Sequence, residues 1–131
     1  MRRMQIEKTE QEMLVRWFEV QYPTLLLFAI PNGGSRNIVE AKSLRLGGVK
    51  AGIPDLMLTL PSNGLAGLFI ELKRPKVKGK PNPVVSKEQQ QRIQQLSDAG
   101  YLAVVSYGFE EARNVIVNYL NAKEITDECR S

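Results

Sequence analysis

Apolar residues recur along this chain at helical spacing, then in short unbroken runs, then at helical spacing again. Met13, Leu14, Trp17 and Phe18 return every three to four positions and predict a helix over about 10–21. Ahead of them, Thr9-Glu10-Gln11-Glu12 has the form of a capping box, with Thr9 as N-cap and Glu12 at N3. Pro23 ends this helix. The run 25–30 is continuous, apolar and of strand length, and Pro31-Asn32-Gly33-Gly34 is a turn by composition. A second helix is predicted over 38–46, closed by Gly47-Gly48.

The segment Ala51-Gly52-Ile53-Pro54 leads into a strand over 55–60, and Pro61-Ser62-Asn63-Gly64 turns it into another over 67–73. So short a connection makes these two strands antiparallel. Between 74 and 87 lie Arg74, Lys76, Lys78, Lys80 and Lys87 with Pro75, Pro81, Pro83 and Gly79, and no acid. That composition denies regular structure and predicts an exposed basic loop. Ser86 caps a helix over about 87–99, with Ile93 and Leu96 on its inner side and Gly100 as its stop. A buried strand over 101–107 follows, then a helix over 109–120 with Ala112, Val115, Ile116 and Tyr119 on one face. The order α-β-α-β-β-α-β-α describes an α/β fold, a mixed sheet with helices packed on it.

The length of 131 residues and a hydrophobic share of 43% fit one domain that buries a core without disulfides, its core spanning about 9–120 before a short tail at 121–131. There is no His and one Cys, Cys129. Ser-His-Asp and Cys-His nucleophiles and Cys/His zinc sites are thereby excluded, and a metal here must be a hard one bound through oxygen. The apolar runs fall far short of the roughly 20 residues that cross a bilayer. No apolar stretch follows the basic residues at the start, so an intracellular, cytoplasmic location is expected. A net charge of +4 is compatible with a polyanionic partner without requiring one.

The residues that carry chemistry are polar ones where folding alone calls for apolar ones. Along 67–73 side chains alternate, placing Phe69, Glu71 and Lys73 on one face and Leu68, Ile70 and Leu72 on the other. A salt bridge at a sheet edge would explain Glu71 and Lys73 alone. Asp55 changes the weighing, because pairing of the two strands brings it near Glu71, and adjacent carboxylates repel unless a proton or cation lies between them. Mg²⁺ or Mn²⁺ resolves that conflict; a turn-capping role is the competing reading of Asp55.

On the first helix, Glu10 points about 20° from Trp17 and about 40° from Leu14, whereas Glu12 points the opposite way. Glu10 is the candidate third ligand, with Glu12 as the fallback. Gln89 shares a face with Ile93 and Leu96, yet Ser86-Lys87-Glu88-Gln89 is also a capping box, so its amide serves either the interior or the helix end. Together these groups suit phosphodiester hydrolysis. Asp55 and Glu71 hold the metal, and Lys73 orients water or steadies the phosphate.

The series Gly52-Ile53-Pro54-Asp55, then Glu71-Leu72-Lys73, then Ser86-x-Glu88-Gln89 resembles the VRR-NUC domain, a branch of the PD-(D/E)XK nuclease superfamily. Thr9-Glu10, Ile30-Pro31-Asn32-Gly33-Gly34 and Gly47-Gly48-Val49-Lys50-Ala51-Gly52 extend the resemblance over about 9–120. The resemblance implies a restriction-endonuclease-like core. It implies metal-shell roles for Glu10, Asp55, Glu71 and the Leu72 carbonyl, a catalytic Lys73, and a Gln89 that contacts water or phosphate. It also implies a Mg²⁺-dependent DNA endonuclease, with Mn²⁺ as substitute, acting as a homodimer in a bacterial or phage-infected cell. A two-fold dimer would meet a substrate of matching symmetry, such as a four-way (Holliday) junction. Asn32, Arg36, Lys50, Arg74, Lys76, Lys78 and Lys80 are the candidate DNA contacts, with Lys42 and Arg45 beside them. A catalytically silent DNA-binding or assembly module with the same fold is the alternative.

Overall fold

The computed structural model describes the main chain of residues 2–31 and 37–130, and side chains over 5–31 and 37–122. Helix α1 spans Arg2–Gln21, so it begins well before Glu10. Nothing over 2–8 breaks a helix, and Thr9 therefore sits in its interior, its Oγ1 donating to the Gln5 carbonyl at 2.9 Å. The Thr9–Glu12 capping box does not form, and Glu12 is exposed. The apolar stripe does hold: Leu14 and Phe18 are fully buried.

Strand β1 (Leu27–Ala29) pairs antiparallel with β2 (Leu56–Leu58), and β2 antiparallel with β3 (Leu68–Lys73). β3 pairs parallel with β4 (Leu102–Tyr107), giving the order β1-β2-β3-β4. A parallel pair needs a crossover, and α3 (Lys87–Asp98) supplies it. Ser86 and Gln89 form the capping box expected at its start, and Gly100, with φ +99°, follows its end. β4 lies at the sheet edge and is half-buried rather than buried, Ser106 excepted.

The last helix, α4, runs over Phe109–Arg130 instead of stopping at Leu120, because the residues after Leu120 include neither Gly nor Pro. Its Ala112, Ile116 and Tyr119 are buried as the spacing predicts. With Leu14 and Phe18 of α1 they cover Leu68, Ile70 and Leu72 of β3, and this is the core. Each large apolar side chain fully buried there contributes about 1.5–3 kcal/mol. Glu71 and Lys73 necessarily face the other side of the sheet, where the first turn of α3 lies.

Helix α2 (Ile38–Leu46) has the predicted bounds and ends on Gly47, with Asn37 Oδ1 accepting from the Val39 and Glu40 amides. Three of its apolar residues nevertheless face outward, Ile38, Val39 and Leu46 being 83%, 76% and 80% exposed, while Ala41 and Leu44 are half-buried. No residue of α2 is buried. Among the described residues no helix is long and apolar enough to cross a membrane.

Candidate active site

β3 runs through the interior of the sheet, which is why Glu71, a carboxylic acid, is only 4% exposed. The pairing of Leu56 with Ile70, continued one step past the end of β2, sets Asp55 opposite Glu71. Two main-chain bonds hold Asp55 there. Its carbonyl accepts from Ile30 N at 2.8 Å, and its Oδ2 accepts from Leu72 N at 2.7 Å. Fully buried Pro54 precedes it and restricts the approach of the chain.

The Asp55 side chain lies within hydrogen-bonding reach of the Glu71 carboxyl. Burial of Glu71 is the largest influence on its acidity; the hydrogen bond and negative charge of Asp55 add to it, and Lys73 opposes them. The Glu71 carboxyl is pushed up to about 9. A buried acid that must keep its proton beside a second acid is a site where a divalent cation fits in the proton's place.

Lys73, two residues along the same face, donates from Nζ to Gln89 Oε1 at 2.9 Å. The same oxygen accepts from Ser86 N at 2.9 Å, and Ser86 Oγ accepts from Gln89 N at 3.1 Å. Both readings of Gln89 are therefore realised at once: it caps α3 and holds the lysine. Asp55, Glu71 and Gln89 line one cleft of about 440 Å³, walled by Ile30, Pro31 and residues 47–53.

Residues 2–110 match the family model of the VRR-NUC domain. The chain belongs to the VRR-NUC domain family. This is a family of nuclease domains, whose substrate class is DNA. A solved structure described as a VRR_NUC domain protein superposes with a TM-score of 0.72 at 27% identity, covering 89% of each chain. The mixed sheet flanked by helices is thus the VRR-NUC fold. A search of curated proteins found no match to the chain.

In this VRR-NUC chain the acid expected from α1 is placed differently from the rest. Glu10 Oε2 accepts from Phe109 N at 3.3 Å, at the start of α4, and Glu10 lines a separate cavity with Lys76, Tyr107 and Phe109. Glu7, not singled out from the sequence, instead adds its negative charge to the influences that raise Glu71. The periodicity carries a signal for it. Glu7 lies seven residues before Leu14 and eleven before Phe18, within about 20° of both on a helical wheel. A helix begun at Glu10 leaves it out. Among the described residues no three of His, Cys, Asp or Glu are grouped to hold an ion, so a cation at Asp55 and Glu71 must add main-chain or water oxygens. The Leu72 main chain, already bonded to Asp55, is adjacent.

The predicted basic residues divide by what they already do. Lys50 is exposed and lines the cleft. Arg74 spends its guanidinium on its own loop, donating to the Pro75 and Pro81 carbonyls at 3.3 and 3.0 Å. Lys76 Nζ rests 4.4 Å from the centre of the Tyr107 ring. Lys78 and Lys80 are exposed on the turn that the Lys80 N to Val77 carbonyl bond closes. Lys42 and Arg45 are exposed on α2. Asn32 and Arg36 lie outside the described residues.

Proposed function

We propose that this protein is a Mg²⁺-dependent DNA endonuclease that hydrolyses phosphodiester bonds, with Mn²⁺ as a substitute. The observation that carries the reading is the Asp55–Glu71 pair, set opposite each other on neighbouring strands and in one cleft with Gln89, whose amide oxygen holds Lys73. Asp55, Glu71 and the Leu72 carbonyl would hold the ion with water oxygens, beside the negative charge of a carboxylate on α1. Glu7 is favoured for that place by its effect on Glu71, and Glu10 is its rival. Bound there, the ion supplies positive charge to the phosphoryl oxygens and acidifies water.

The protein's own groups do the rest. Glu71 would give up its proton on loading, so that both carboxylates of the pair could ligate. Lys73 presents its ammonium to a non-bridging oxygen of the scissile phosphate or to the attacking water. Gln89, by holding that ammonium through Oε1, limits its rotamers before substrate arrives, so the donor needs little reorganisation during reaction. Among the described residues the Gln89 amide nitrogen has no partner within the protein, which leaves its donors for a phosphate oxygen. Lys50, Lys78 and Lys80 would neutralise flanking phosphates.

The chain acts as a homodimer on branched DNA in this reading. Support comes from the outward apolar residues of α2 together with Phe28 on the edge strand β1 and Leu26 just before it, 39% and 57% exposed. Exposed apolar residues and an uncovered sheet edge are both relieved by a partner. A two-fold pair would then offer two clefts to a four-way junction. The test is a panel of linear, flapped and four-way DNA incubated with Mg²⁺ or EDTA, beside Lys73→Ala and Asp55→Asn. Mg²⁺-dependent cutting that is strongest on branched DNA and lost in both variants is the expected result. Binding without cutting under either metal would identify a silent DNA-binding module.

A further inference from the structure

The wall of the cleft carries no group that reacts, yet it is seated on α3 more closely than any residue but glycine allows. Gly52 has φ +84°, and a Cβ built on it would lie 2.5 Å from the Glu88 carbonyl carbon, 2.6 Å from the Glu88 oxygen and 2.8 Å from Gln89 N. These are main-chain atoms of the first turn of α3 and cannot swing aside. Next to it, the Ala51 carbonyl accepts from Arg92 Nε at 3.0 Å, and Arg92 donates again to Gln95 Oε1 at 2.8 Å. One side of this seat is continuous with Gln89, which holds Lys73. The other passes through Ile53 and the buried, rigid Pro54 to Asp55.

We propose that Gly52 and Arg92 are positioning residues that dock the cleft wall on α3 and thereby set the placement of the Asp55–Glu71 pair relative to Lys73 and Gln89. The kinetic consequence rests on the nuclease reading; the docking itself does not. A displacement of the wall moves one half of the site against the other, and a misplacement of about 1 Å costs roughly a hundredfold in rate.

The experiment compares Gly52→Ala with Gly64→Ala. Gly64 lies in the turn between β2 and β3 at φ +80°, and a Cβ there meets nothing within 4 Å. Both variants carry the same left-handed strain; only the first drives a methyl group into α3. Arg92→Gln removes the second tether without touching the backbone. The first readout is the Leu72 amide resonance, which reports its bond to Asp55 Oδ2 whether or not the protein cuts DNA. The second is cleavage, separated into kcat and KM.

Gly52→Ala is expected to shift the Leu72 amide and to lower kcat by about a hundredfold, with KM altered by less than about threefold. Arg92→Gln moves both in the same direction by less, and Gly64→Ala moves neither. A Leu72 resonance unmoved in folded Gly52→Ala and in Arg92→Gln overturns the proposal, as does an equal response to Gly64→Ala. Should Gly52→Ala not fold, Arg92→Gln decides. A wild-type protein that cuts no DNA defeats the nuclease reading alone, since the resonance still tests the docking.

Discussion

The Lys73 ammonium lies 2.9 Å from the side-chain oxygen of Gln89, an oxygen that also receives the Ser86 main-chain N–H. One amide thus joins the start of α3 to the charged group of β3. Lys73→Ala should lower the rate of DNA cleavage by about 10²–10³-fold, the usual cost of one preorganised donor. Gln89→Ala should lower it less and also cost about 1 kcal/mol of stability through the loss of the cap. Initial rates and denaturant unfolding separate the two effects; equal unfolding free energies for wild type and Gln89→Ala would deny the cap its part.

Glu71 makes the cation-free protein sensitive to base. Its folded-state value, about 9, lies above its ordinary 4.5, so between these values the folded protein binds a proton that the unfolded chain has released. Stability from this group is therefore complete below about 4.5 and is lost as pH rises towards 9. In EDTA the melting temperature should fall across this interval. Glu71→Gln should flatten that fall, and Mg²⁺ should stabilise the wild type more at pH 9 than at pH 6 with release of protons. A parallel fall in Glu71→Gln would place the sensitivity elsewhere.

Glu7 and Glu10 separate by what each variant disturbs. Glu7→Gln should raise the Mg²⁺ concentration needed for half-maximal cleavage. Glu10→Gln should act chiefly on stability, by about 0.5–2 kcal/mol, because Glu10 accepts from the first N–H of α4. Mg²⁺ titrations of cleavage beside thermal melts check this; the reverse pattern would return the ligand role to Glu10.

The outward face of α2 should govern association. Ile38→Asp with Leu46→Asp is expected to convert a dimer to a monomer in sedimentation equilibrium. Its effect on unfolding of the monomer should stay within about 0.5 kcal/mol, since neither residue is buried. A wild type that sediments as a monomer would remove the dimer from the proposal.

Lys78→Ala with Lys80→Ala should weaken DNA binding and make the slope of log K against log salt shallower by about 0.9 for each phosphate that is no longer neutralised. Arg74→Ala should act differently, by loosening the loop its guanidinium closes. An unchanged salt slope in the double variant would exclude these lysines as phosphate-binding groups.

What this chain states locally, its sequence determines. Asn37, Ser86, Gly47 and Gly100 bound their helices within a few residues, and alternation along β3 assigns Glu71 and Lys73 to one face. These features depend on neighbours in the chain and on backbone geometry, which a sequence carries in full. The start of α1 departs from its local signal because a capping box at Thr9 competes with an uninterrupted helix through the same residue, and the helix wins. Tertiary structure alone decided which α1 acid approaches Glu71, that Arg74 is consumed by carbonyls of its own loop, and that α2 turns three of its apolar residues outward. Each of these is a matter of distance between parts far apart in the chain, of how an irregular loop folds back on itself, or of what covers a surface. Periodicity tells which side of an element a residue occupies and says nothing of what lies opposite.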